Sequence, residues 1–135
     1  MKKSNSNCEF SSERSELLIR YFRESLARQS KISAQRAFQD AVDAPTPRFW
    51  VSEARAMRVI SMMLKSEDIL EGMLPEKQAM YREIFRRVKQ QKAAHPDKPL
   101  GDIVFEVVNN PAPRSYIGWK FARLLIKRQK GGIKI

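Results

Sequence analysis

The sequence predicts an all-α protein: a compact bundle of about six helices, built from two tandem helix-helix-turn-helix repeats. Three observations lead there. Pro45-Thr46-Pro47-Arg48-Phe49-Trp50 returns sixty-six residues later as Pro111-Ala112-Pro113-Arg114-Ser115-Tyr116. At the same offset, without a gap, Val42, Ala56 and Ile60 stand opposite Val108, Ala122 and Ile126, and Leu18, Ile19 and Phe22 opposite Ile84, Phe85 and Val88. On both sides of each turn the apolar residues recur at helical spacing. Repeats are sought first because a missed one misreads the whole architecture.

The division that follows is a polar tail over 1–11, a first repeat over 12–65, a connector over 66–74, a second repeat over 75–131 and a tail over 132–135. A unit of about 60 residues buries too little surface to be comfortably stable alone, so the two repeats are expected to share one core.

Local signals place each element. Ser12 can cap a first helix, with Glu13 and Glu16 where the helix dipole favours negative charge, and with Leu18, Tyr21, Phe22 and Leu26 on its apolar stripe. Arg14, Arg20, Arg23 and Arg28 are assigned to its solvated sides. Ser33 caps a second, short helix through about Asp43, with Ala34, Ala37, Phe38, Ala41 and Val42 inward. Pro45 and Pro47 end it, since they donate no backbone hydrogen bond and hold their predecessors extended. Trp50 is expected to anchor this turn on the core. Ser52 caps the third helix, whose inward face is Ala56, Val59, Ile60, Met63 and Leu64. Residues 66–75 form a half-buried connector.

Pro75 and Glu76 open the fourth helix, to about Lys92, with Met80, Tyr81, Ile84, Phe85 and Val88 inward and Arg82, Arg86, Arg87 and Lys89 outward. Leu100 through Asn110 is the second short helix, packing through Ile103, Val104, Val107 and Val108. The sixth runs from Trp119 to about Lys130, packs through Phe121, Ala122, Leu125 and Ile126, and stops at Gly131-Gly132.

Twenty-six Lys and Arg against fifteen Asp and Glu give a net charge of +11, a field that concentrates polyanions near the surface. Residues 114–135 hold seven basic residues and no acidic one. Cys8 is the only cysteine and His95 the only histidine, which excludes an intrachain disulfide and a zinc site of the usual Cys/His kind. No stretch approaches the roughly 20 apolar residues of a membrane span, and Ser4-Asn5-Ser6-Asn7 stands where a signal peptide needs an apolar run. A cytoplasmic protein is expected, with no membrane partner. Without a second histidine or a glycine-rich phosphate loop, the usual nucleophile, metal and nucleotide constellations are missing, so no enzyme activity and no cofactor are expected.

The sharpest local feature is the sixth helix, where Lys120, Arg123, Lys127 and Lys130 fall on one face at spacings of three, four and three. Such a stripe displaces condensed counterions from phosphates, and Arg can also pair bidentately with a guanine edge. Arg55 and Arg58 offer a thinner version on the third helix. Arg48 and Arg114 keep the same place after each proline pair, suited either to a backbone phosphate or to capping the carbonyls of the preceding helix.

A long helix, a short helix, an aromatic connector and a capped helix with Ala56 at its entry resembles the helix-turn-helix of DNA-binding proteins, although the connector is longer than the usual three or four residues. The Pro-x-Pro-Arg turn, aromatic and capped helix also resemble short uncharacterised basic proteins of phages and mobile elements, over residues 12–130. The resemblance implies a small DNA-associated factor and brings no catalytic residues. The expected function is non-enzymatic binding of double-stranded DNA as a regulatory or accessory factor, with the second copy dominating. Structured RNA and an acidic protein partner are the alternatives, and a homodimer is compatible with each.

Overall fold

A computed structural model describes residues 10–129. Among them are six α-helices: α1 (Ser11–Arg28), α2 (Ala34–Asp43), α3 (Glu53–Lys65), α4 (Pro75–Ala94), α5 (Leu100–Val108) and α6 (Trp119–Gln129). A 3-10 turn (Glu67–Leu70) joins α3 to α4. The described residues contain no strand, only an isolated antiparallel bridge between Thr46 and Ala112. The fold is all-α, as the helical spacing of the apolar residues requires.

Two of the expected caps are in place. The Ser33 hydroxyl accepts from the Arg36 amide (3.2 Å) and the Ser52 hydroxyl from the Arg55 amide (3.1 Å). Ser12 does not cap α1. That helix starts two residues earlier than a Ser12 cap would place it, with Phe10 at the cap position and no side-chain cap. Tertiary packing overrides the local signal here: the Phe10 ring lies 4.1 Å beneath the Arg48 guanidinium and 6.0 Å from the Trp50 ring.

The helix after each proline turn does not fold back on the two helices before it. α3 packs on α4 and α5, and α6 packs on α1 and α2. The expected single core is accordingly divided into two buried clusters, each drawing on both halves of the chain. One gathers Leu18, Phe22, Phe38, Val42, Ala122 and Ile126 from α1, α2 and α6. The other includes Ile60, Tyr81, Ile84, Ile103 and Val108 from α3, α4 and α5. The connectors cause the exchange: Pro45 and Pro47, like Pro111 and Pro113, keep the chain extended where a helix-turn-helix would reverse it.

The connectors meet each other instead, through bonds that come in pairs. The Thr46 amide donates to the Ala112 carbonyl (3.0 Å), and the Ala112 amide donates to Thr46 (2.9 Å). Phe49 donates to Val108 and Ser115 to Val42, each at 3.0 Å. The Tyr21 hydroxyl reaches the Pro45 carbonyl and the Arg87 guanidinium the Pro111 carbonyl, each at 2.9 Å. Moving both ends of one bond by sixty-six residues turns it into the other of its pair. At these three pairs of bonds, positions sixty-six apart play matching parts in holding the connectors.

Several side chains depart from expectation. Arg14 is buried rather than solvated, and Arg87 is half-buried because it serves the second connector. Ala34, Leu64 and Phe121 are exposed, since each short helix has room to bury only one stripe. Trp50 is buried, as expected for an anchor. Tyr116 adopts a left-handed backbone (φ 61°), a conformation that costs a non-glycine residue about 1–2 kcal/mol and is held by its stack on Phe49, centroids 6.0 Å apart.

Candidate nucleic-acid interface

α6 is placed by its inward face. Ala122 and Ile126 are fully buried and Leu125 nearly so, against α1 and α2. With that stripe fixed, the helical period leaves Lys120, Arg123 and Lys127 exposed along one edge. Among the described residues no carboxylate lies within 4.0 Å of any of the three. The Lys120 ammonium and Arg123 guanidinium stand 5.9 and 5.8 Å from the centre of the half-buried Trp119 ring, close enough for a cation–π contact at each. Lys130 lies outside the described residues.

A neighbouring edge of α6 carries exposed Phe121, Leu124 and Arg128. Arg128 falls outside the three-four-three spacing of Lys120, Arg123, Lys127 and Lys130, so that stripe does not point to it. Phe121 lies 5.8 Å from the guanidinium of the buried Arg14.

Arg48 and Arg114 face inward. Arg48 donates to the carbonyls of Phe49 and Val51, each at 3.0 Å, and to Asn109 Oδ1 at 2.8 Å. Asn109 in turn donates to Glu53 at 2.9 Å, and this bond, more than the nearby Arg48 charge, holds the Glu53 carboxyl below its usual pKa. Arg114 reaches Glu76 at 2.7 Å and Asp43 at 3.5 Å. Burial works against the Arg114 charge, but the hydrogen bond and field of Glu76 outweigh it and the pKa rises. Both arginines therefore tie connectors to helices. Of the two roles open from sequence, the carbonyl bonds of Arg48 match the local structural one, though the carbonyls belong to its own connector.

Arg55 and Arg58 sit on α3, apart from the α6 edge in the pattern of the fold. At the sixty-six-residue offset they correspond to Phe121 and Leu124, whereas Lys120, Arg123 and Lys127 correspond to Ala54, Met57 and Ser61. The two third helices thus carry their cations on different faces. Arg55 is half-buried near Lys77, whose pKa is lowered first by burial and then by the charges of Arg55 and Arg14.

A cleft of about 600 Å³ lies on α4, lined in part by Met63, Leu70, Phe85 and Lys89. One rim group, Arg86, is already held by Glu83 at 2.7 Å. Among the described residues no group of three or more His, Cys, Asp or Glu could hold a metal ion, and no helix is long and apolar enough to cross a membrane. Comparison with protein-family models, curated proteins and solved structures finds no match.

Proposed function

We propose that the protein binds nucleic acid, specifically double-stranded DNA, through the exposed edge of α6, as a non-enzymatic accessory or regulatory factor of the kind found in phages and mobile elements. One observation carries this reading: Lys120, Arg123 and Lys127 form a cationic edge with no internal counter-charge among the described residues, in a chain of net charge +11. Other cations, Arg86, Arg87, Lys98 and Arg114 among them, are paired with Asp43, Glu76, Glu83 or Glu106 inside the fold. Three cations on successive turns suit a row of phosphates, where release of condensed counterions drives association.

Arg48 and Arg114 act in this reading as positioning groups, since their bonds fix the connectors that deliver α3 and α6. Arg55 and Arg58 contribute a second, weaker patch on another surface. A gel-shift titration of the protein against a random-sequence duplex at 50 mM and 200 mM salt tests the proposal. Retardation at the lower salt that fades at the higher is the expected result; no retardation at either salt contradicts it.

A further inference from the structure

A groove of about 330 Å³ runs between the start of α2 and the outer side of α6, lined by Ala34, Gln35, Phe38, Trp119, Arg123 and Lys127. Phe38 forms an apolar floor, nearly parallel to Trp119 at 6.4 Å between centroids (interplanar angle 20°), and is itself backed by Phe22 at 4.4 Å. Arg123 and Lys127 supply two positive charges at one side, with no carboxylate among the lining residues.

The scaffold does not demand these residues. At the sixty-six-residue offset that relates the connector bonds, α3 holds Glu53 in place of Trp119, Met57 in place of Arg123 and Ser61 in place of Lys127. One half of the fold therefore packs its third helix without an aromatic or a cation at these points. An aromatic face beside paired cations is the combination that single-stranded nucleic acid uses, with the base on the ring and the phosphate on the charges. Guanidinium planes add a further surface on which a base can stack.

We infer that this groove takes one unpaired nucleotide, its base against Trp119 and its phosphate between Arg123 and Lys127. The inference rests on the reading of α6 as a nucleic-acid-binding edge and refines it: the preferred ligand is duplex DNA that carries an unpaired base, at an overhang or a frayed end. A blunt duplex engages the lysines and arginine alone.

The test compares a blunt duplex with the same duplex bearing a three-thymidine overhang, by titration with intrinsic tryptophan fluorescence. Trp50 is 6% exposed and Trp119 half-buried, so quenching by the overhang reports Trp119. The overhang is expected to bind about 5- to 150-fold more tightly, the range that stacking one base contributes. Trp119→Leu should abolish this preference and Trp119→Phe retain most of it. Gln35→Glu places a carboxylate in the groove in the first turn of α2, where the helix dipole favours it, so folding is preserved while the overhang preference falls. Equal binding of the two duplexes, or a preference unchanged in both Trp119→Leu and Gln35→Glu, overturns the groove assignment alone. Failure to bind either duplex overturns the α6 reading, and the groove assignment with it.

Discussion

Phe38→Ala and Ile126→Ala are expected to couple in a double-mutant cycle, whereas Phe38→Ala and Ile60→Ala are expected to add. Phe38 and Ile126 belong to one buried cluster although they come from opposite halves of the chain, while Phe38 and Ile60 lie in the same nominal repeat but in different clusters. Each substitution removes a nearly or fully buried side chain, at about 3–5 kcal/mol for the phenylalanine and about 2–5 kcal/mol for each isoleucine. Residues sharing a cluster interact by about 0.5–3 kcal/mol beyond the sum, and distant ones add within about 0.5 kcal/mol. Urea unfolding of the four proteins in each cycle measures this. Coupling of Phe38 to Ile60 and not to Ile126 would mean that each third helix packs within its own repeat.

The combined substitution Lys120→Glu/Arg123→Glu/Lys127→Glu is expected to lower duplex affinity at 0.1 M salt by several hundredfold, on the order of what three phosphate contacts supply relative to 1 M salt. Thermal stability should change little, because these side chains are exposed and no carboxylate among the described residues pairs with them. Reversal of Arg82, Lys89 and Lys92 on α4 serves as the charge-matched comparison, removing three exposed cations from a different helix. Affinity that falls as far in that variant would show a diffuse attraction to net charge instead of a defined edge.

Helical spacing made the fold class legible. The inward stripes of α4 and α5 read from sequence are largely the buried ones, and Ser33 and Ser52 cap as their positions suggest, because these effects act within a few residues. What the sequence hid was the partner of each third helix. Ile60 and Ile126 carry the same local signal whichever pair of helices they meet, and the choice depends on how far the extended connectors carry the chain. The one available hint was the length of the Pro45–Ser52 connector, too long for a helix-turn-helix. Phe121 was misplaced for a related reason: it sits at helical spacing from Leu125, yet the stripe of Ala122, Leu125 and Ile126 leaves it outside. At the candidate interface, Lys120, Arg123 and Lys127 were visible as a periodic stripe. The inward commitments of Arg48 and Arg114 depend on Asn109, Asp43 and Glu76, residues distant in sequence whose contacts no short motif encodes. The groove beside Trp119 was invisible because Phe38 and Gln35 come from the other half.

The most direct measurement is the slope of log affinity against log salt concentration for a blunt duplex, compared between the native protein and Lys120→Gln/Arg123→Gln/Lys127→Gln. If each of the three side chains neutralises one phosphate, the variant's slope should be shallower by about 2.7, which amounts to roughly a 40-fold smaller loss of affinity between 50 and 200 mM salt. Equal slopes for the two proteins would mean that the α6 edge contacts no phosphate, and would contradict the account.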